Sequence, residues 1–164
     1  MRKILFWGTA LLVLVAVNYL IVTKERTLAR GRTMLLELAP VDPRSLIQGD
    51  YMELRYALAR NIPKGQLKKD KGQIVVSLDA NAVARFVRVH RGEKLKEGEY
   101  LLFYRNRGEL RLGAESFMFQ EGDAGLYSKA KYGELKADAS GKSVLVGLRG
   151  LDFKLLGRKQ TGQE

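Results

Sequence analysis

The chain has 164 residues, of which 46% are apolar, three are proline and none is cysteine. That length suits one domain with a packed core, and the lack of cysteine excludes disulfides, thiolate-bound zinc and thiol catalysis. Basic residues outnumber acidic ones by 29 to 18, giving a net charge of +11. Residues 1–32 carry six basic residues and one acidic residue. This basic excess flanks an apolar run on both sides, a distribution typical of a membrane protein.

The apolar run begins at Ile4 and ends at Val22, with no charged residue between them. Its 19 residues make a helix of roughly 28 Å, close to the hydrocarbon thickness of a bilayer, about 30 Å. Trp7 and Tyr19 lie near its two ends, where amphipathic rings favour the headgroup level. The sequence therefore predicts a transmembrane helix that contacts the lipid bilayer from Ile4 to Val22.

Two other interpretations of the run stay open. A signal peptide cleaved after Ala16 is one, although Leu14 occupies a position where a small residue is expected and the run continues past the cut. A buried core helix is the other. The flanking charges nearly balance and slightly favour a cytoplasmic body, with Arg2 and Lys3 before the run and four residues after it, Lys24, Arg26, Arg30 and Arg32.

After the run, residues 24–30 can continue the helix, and Gly31 in a left-handed conformation is predicted to end it. Short apolar stretches between turn signals then predict strands at 34–38, 51–59, 73–78, 83–90, 100–105, 110–112, 117–120, 134–138, 143–148 and 151–156. This spacing predicts a mostly β fold, with one small antiparallel sandwich or barrel-like domain after the transmembrane helix. Residues 106–109 (NRGE) and 139–142 (ASGK) are expected to form hairpin turns.

One short helix is expected to interrupt the strands. Asp123 is predicted to cap its start, Leu126 and Ala130 to share a face over two to three turns, and Gly133 to close it. The whole chain then divides into an anchor with its helical extension (1–31), a β-rich domain (32–157) and a polar tail (158–164).

Residues 40–56 read PVDPRSLIQGDYMELRY, which predicts a turn at Gly49 and Asp50 that enters a strand. Because side chains alternate along a strand, one set is expected in the core, namely Met52, Leu54, Tyr56 and Leu58. The other set is expected to face outward, namely Tyr51, Glu53 and Arg55.

The eight residues GDYMELRY match every fixed position of the signature of the GDYXXLXY family of membrane-anchored bacterial proteins, and the PVDPR segment before them is similar. The resemblance continues more loosely in Glu121-Gly122 and in the hairpin at 140–142. It implies an envelope protein with an exported body and an integral membrane partner, but no established activity. We adopt the exported orientation from this resemblance, against the slight preference of the flanking charges.

The segment also supplies the candidate interaction residues, which are Asp42, Arg44, Asp50, Tyr51 and Arg55. Asp, Gly and Pro before a strand are ordinary turn residues, and Arg44 or Arg55 paired with Asp50 would fix the loop. Alternatively the loop presents these side chains to a partner, since recognition residues concentrate on loops held by rigid strands.

Catalytic and metal-binding patterns are weak. Ser45 resembles the nucleophile of serine/lysine signal peptidases only in lying upstream of a Gly-Asp pair, and His90 is the only histidine. His90 lies on a strand rich in arginine, with Arg85, Arg88 and Arg91 as neighbours, and is therefore expected to be a solvated surface residue. The spacing of the acidic residues Asp42, Asp50, Glu53 and Asp79 fits no calcium loop.

The sequence predicts no cofactor, no metal and no nucleic-acid partner. The leading hypothesis is a non-enzymatic accessory protein of the bacterial inner membrane, with its domain on the periplasmic side and an integral membrane protein as partner. Two alternatives are an envelope hydrolase that uses Ser45 and a module that binds anionic lipid surfaces. The latter is suggested by two basic clusters, Lys64, Lys68, Lys69 and Lys71, and Arg85, Arg88, Arg91, Lys94 and Lys96.

Overall fold

The computed structural model describes residues 2–39, 47–48, 51–63, 65, 67–107 and 109–157. Helix α1 (Arg2–Arg30) is continuous for 29 residues and is long and apolar enough to cross a membrane. The apolar side chains of residues 6–22 are exposed, with Trp7 at 70% and Tyr19 at 71%. The interpretation of this run as a buried core helix is therefore wrong.

The rest of the described chain is mostly strand, as predicted. The strands are β1 (Arg32–Glu37), β2 (Ile47–Gln48), β3 (Tyr51–Glu53), β4 (Asp70–Leu78), β5 (Ala84–Val89), β6 (Glu99–Arg107), β7 (Glu109–Arg111), β8 (Ser116–Met118), β9 (Tyr132–Ala137) and β10 (Ser143–Arg149). A 3₁₀ helix (Ala57–Arg60) follows β3, and one turn of α-helix, α2 (Ala124–Tyr127), follows β8.

These strands form three antiparallel sheets with the orders β1-β9-β10, β2-β3-β8 and β5-β4-β6-β7. The parts of the sheets that the structure describes do not close into a barrel. Both predicted hairpins are confirmed, because β6 pairs with β7 and β9 pairs with β10. In the second hairpin Gly141 has a φ of 80°, and Asp138 Oδ1 accepts hydrogen bonds from the backbone N–H groups of Ser140 and Lys142.

Two predicted strands differ from the structure. The strand expected at 51–59 ends at Glu53, and the chain continues as an irregular segment into the 3₁₀ helix. The stretch 151–156 is a turn that touches β10 through a single bridge between Arg149 and Leu155. In the stretch 51–59 the apolar spacing correctly predicted which side chains are buried. It did not predict the backbone conformation, because a 3₁₀ turn also buries Leu58.

The short helix also differs from its prediction. It spans four residues rather than two to three turns, and the Asp123 side chain makes no capping hydrogen bond. Leu126 is 39% exposed, whereas Tyr127 is the buried residue of this turn. Gly133 lies inside β9 and does not end the helix. Gly133 instead lets Tyr56 pack closely against β9, because a Cβ at this position would lie 3.1 Å from Tyr56 Cε1.

The core lies between the sheets and includes fully buried side chains from most of them, among them Met34, Leu36, Ile74, Leu102, Tyr104, Leu135 and Leu148. Sheet β1-β9-β10 is linked to the four-stranded sheet by a parallel bridge between Leu35 and Val83. The hydroxyl of Tyr104 accepts a hydrogen bond of 2.9 Å from the backbone N–H of Lys68, which fixes the position of the ring.

Helix α1 meets the body at its last turns. Thr27 is only 6% exposed, and α1 contacts both β9 and β10. Gly31 ends the helix as predicted, but not in the left-handed conformation. A Cβ on Gly31 would lie 2.3 Å from the Thr27 carbonyl oxygen and 3.1 Å from that of Ala137. Glycine is therefore required here chiefly by the last turn of the helix itself, and the close approach of β9 adds to the restriction.

Candidate functional site

The structure describes only part of the predicted interaction segment. Tyr51 and Arg55 are described, whereas four residues lie outside the described residues, namely Asp42, Arg44, Ser45 and Asp50. The predicted pairing of Asp50 with an arginine and the predicted nucleophile therefore both concern residues outside the description. The geometry of the segment rests on residues 51–60.

The inward side chains of this segment are core residues, as predicted. Met52, Leu54, Tyr56 and Leu58 are 2%, 3%, 5% and 6% exposed. The Tyr56 hydroxyl donates a hydrogen bond of 2.6 Å to the carbonyl oxygen of Ala114. Burial, with a smaller contribution from nearby Glu115, raises the pKa of Tyr56 well above its usual range. Tyr56 thus stays a neutral hydrogen-bond donor, and its role is to join two distant parts of the chain.

The outward side of β3 presents an apolar pair. Tyr51 is 42% exposed and lies directly opposite Met118 of β8, which is 80% exposed. Directly opposed residues of an antiparallel pair lie on one face of a sheet. We call these two residues the Tyr51–Met118 patch. It lies on a three-stranded sheet whose central strand is β3.

The opposite face of this small sheet is fixed by aromatic contacts. The ring of Phe117 lies 4.9 Å from that of Tyr127, and the ring of Phe119 lies 5.3 Å from it, between centroids. Met52, opposite Phe117 in the register, is buried in the same direction. The Tyr51–Met118 patch is therefore held on a rigid support.

Met118 was missed as a candidate by sequence reasoning. The predicted strand at 117–120 contains Phe117, Met118 and Phe119, three apolar residues in succession. Such a run does not show which residue faces solvent, because alternation between polar and apolar residues is the signal that separates the two faces. Only the pairing with β3 shows it.

Arg55 faces outward and pairs with Glu53, whose Oε1 lies 3.4 Å from Arg55 Nε. Both side chains are about half exposed, at 51% and 46%, so the pair contributes little stability. They border a cavity of about 310 Å³ that also contacts Glu109, Arg111 and Glu115. Desolvation raises the pKa of Glu115, although Arg111 Nη1 lies 2.8 Å from its Oε2. The cavity is thus lined by neighbouring charges of both signs.

His90 is not the solvated residue that the sequence predicted. Its side chain is 16% exposed, and its Nδ1 is buried without a hydrogen-bond partner among the described residues, 3.7 Å from Glu93 Oε1. The prediction failed because neighbouring arginines suggested an open face, whereas Arg88 is itself held by two carboxylates, those of Glu93 and Glu99.

This ion-pair cluster orders the loop between β5 and β6. Arg88 donates to Glu93 Oε1 at 2.9 Å and to Glu99 Oε2 at 2.9 Å. The hydrogen bond from Arg88 lowers the pKa of Glu99 to about 2. Backbone hydrogen bonds, from its own N–H and from that of Arg91, lower the pKa of Glu93 to about 2. These shifts have structural causes and require no ligand.

The acidic residues whose spacing fits no calcium loop have other partners where they are described. Asp79 Oδ1 accepts hydrogen bonds of 2.9 Å from the backbone N–H groups of Asn81 and Val83, in the turn between β4 and β5. Glu53 pairs with Arg55. Within the described ranges, no three His, Asp or Glu side chains gather closely enough to hold a metal ion.

Comparison with known protein families identifies a family that the chain resembles. A family model described as GDYXXLXY protein matches residues 13–148. No curated protein and no solved structure matches the chain. The matched range extends from the middle of α1 to β10.

Proposed function

The chain belongs to the GDYXXLXY family, and from that premise we propose that it is a non-enzymatic accessory protein of the bacterial inner membrane. Helix α1 anchors it as an uncleaved signal-anchor, and the β-rich domain lies on the periplasmic side. The segment that contains Asp42, Arg44, Asp50 and Tyr51 contacts an integral membrane partner. The observation that carries the proposal is the exposed Tyr51–Met118 patch on β3 and β8.

The anchor is supported by the continuity of α1. The helix runs without a break through Ala16 to Arg30, and its last turns pack on the body at the buried Thr27. Only Gly31 separates α1 from β1. A domain held by a single linking residue stays at the membrane surface, within reach of the extramembrane loops of a neighbouring membrane protein.

The contact surface is supported by the chemistry of the patch. Aromatic residues and methionine are enriched at the centres of protein interfaces, because tyrosine adds large area at low entropic cost and methionine adapts its shape. Tyr51 directly follows Asp50 in sequence, so one residue of the patch belongs to the same sequence segment as the PVDPR residues. The aromatic contacts of Tyr127 behind the sheet keep this surface preformed, which lowers the entropic cost of binding.

Co-purification from detergent tests the proposal. The variant Tyr51→Ala/Met118→Ala is expected to capture at least about tenfold less of the membrane protein that the wild-type chain retains, since truncating central interface residues costs that much or more. The matched control is Val87→Ala/Leu151→Ala, which removes two other exposed apolar side chains, at 42% and 74% exposure. Equal capture by the patch variant and the wild type would contradict the proposed contact surface.

A further inference from the structure

A second surface lies where the end of α1 faces the sheets. It is an open groove of about 850 Å³, and five basic side chains line it, those of Lys24, Lys71, Arg105, Arg111 and Lys142. We call it the basic groove. The described residues that line it include no Asp or Glu. This cluster could not be predicted from the sequence, because its members come from α1, β4, β6, β7 and the hairpin before β10.

Three of these cations stand in one row across the four-stranded sheet. Lys71 lies directly opposite Arg105 in the pairing of β4 with β6, and Arg105 lies directly opposite Arg111 in the pairing of β6 with β7. Directly opposed residues have Cβ atoms only about 4.5–5.5 Å apart, and like charges at such positions destabilise a sheet. The row therefore costs folding stability, and a bound anion would offset that cost.

Only one end of the row has an acidic partner. Glu115 Oε2 lies 2.8 Å from Arg111 Nη1. The other four basic side chains of the groove are Lys24, Lys71, Arg105 and Lys142. Among the described residues, no carboxylate lies within ion-pair distance of any of them. At longer range Arg105 also interacts with Glu115 and Lys71 with Asp70, so the protein compensates the positive charge of the groove only in part.

The groove also has an apolar component. Phe103, Phe117 and Leu145, each half-buried, contribute to its lining, and so does the exposed Met118 of the Tyr51–Met118 patch. Lys24 stands two positions after Val22, the last residue of the apolar run. With α1 across a bilayer, this end of the groove lies at the level of the lipid headgroups. A basic surface with apolar walls at that depth matches a ligand that carries both a negative headgroup and hydrocarbon.

We propose that the basic groove binds the headgroup of an anionic phospholipid from the surrounding bilayer. The phosphate is held by the row of Lys71, Arg105 and Arg111 together with Lys142, and the apolar walls contact the upper part of the lipid. Lys24 closes the groove on the side of the anchor. This site goes beyond the proposed accessory role, since it requires α1 to span the bilayer but does not require a protein partner.

The test uses the full chain in nanodiscs made of equal amounts of phosphatidylglycerol and phosphatidylcholine. Native mass spectrometry then counts the lipids of each kind that stay bound after release. Each lysine close to an anionic ligand contributes about fivefold in affinity, so Lys71→Gln/Lys142→Gln is expected to lose the preference for phosphatidylglycerol by roughly 25-fold. The control Lys129→Gln/Lys154→Gln removes the same charge outside the groove and is expected to keep the preference.

Three results would overturn the proposal. In the first, the wild-type chain retains both lipids equally. In the second, the control variant loses as much of the preference for phosphatidylglycerol as the groove variant does. In the third, inorganic phosphate binds to the chain in detergent with the same dependence on Lys71 and Lys142, which identifies a soluble anion as the occupant. A lost preference in the groove variant alone supports the lipid. Because Met118 borders the basic groove, the two surfaces adjoin, and a normal co-purification pattern in the Lys71→Gln/Lys142→Gln variant shows that capture of the partner does not depend on the groove lysines.

Discussion

Tyr56 shows how the fixed positions of the GDYMELRY segment act at the scale of single residues. Its hydroxyl joins the segment to Ala114, 58 positions later in the chain, while Leu54 fills the core beside it. The alternation of side chains along the sequence predicted that both are buried. The partner of the hydroxyl was not predictable, because contacts over such a distance leave no local pattern. The last two fixed positions of the signature are thus explained by packing.

The variant Tyr56→Phe leaves the ring in place but removes the donor to Ala114. An unpaired buried carbonyl costs about 1–3 kcal/mol, so we expect the free energy of unfolding to fall by about that amount. Urea unfolding of the full chain in detergent, followed by far-UV circular dichroism, measures it. Because the Tyr56 side chain is buried, capture of the proposed membrane partner should stay normal. Lost capture with unchanged stability would assign Tyr56 a binding role instead.

Gly72 is a second position where a single added carbon atom is expected to change the stability of the fold. A Cβ there would lie 2.5 Å from Tyr104 Oη and 2.6 Å from its Cζ. Tyr104 is fully buried, so Gly72→Ala should destabilise the fold by about 1–3 kcal/mol through overpacking. Gly125→Ala is the control, since open space surrounds that position. A thermal midpoint unchanged by Gly72→Ala would show that Tyr104 can move.

At the scale of elements, sequence patterns predicted most strands and both hairpins, but not how the sheets are assembled. β1 pairs with β9, and β3 pairs with β8, across 62 or more intervening positions where no turn residue sets the pairing. The pattern also mistook 151–156 for a strand, since apolar residues spaced in this way occur in turns that pack on a sheet. Local chemistry determines the hairpins, and packing of the whole core determines the rest.

The loop between β5 and β6 should make stability depend on acid. The folded pKa of Glu93 and of Glu99 is about 2, below the ordinary value of 4.5. A lowered folded pKa gives stability that is fully present above pH 4.5 and is lost as the pH falls towards 2. We therefore expect the urea midpoint of the wild type to drop over that window, and Glu93→Gln/Glu99→Gln to show a smaller drop. An identical acid dependence in both proteins would contradict the role of the Arg88 cluster.

At the scale of the whole molecule, the order of the parts follows from the sequence, whereas the side of the membrane does not. The charge-free run predicted a helix, and α1 is long and apolar enough to span. The charges on its two flanks nearly balance, so the positive-inside rule does not decide the orientation of the helix. The basic groove is likewise a property of the assembled fold.

Orientation is tested by reporter fusions after Glu164. With the domain in the periplasm, an alkaline phosphatase fusion should be active and a green fluorescent protein fusion dark in the same host. The opposite pattern would place the body in the cytoplasm, as the flanking charges slightly favour, and would require the partner to be sought on that side.

Membrane fractionation with intact mass measurement tests the anchor, on which the accessory role and the lipid site both depend. We predict that the chain stays in the membrane pellet after alkaline carbonate extraction and that its mass includes residues 1–16. A chain found in the soluble fraction that begins at Val17 would contradict the account.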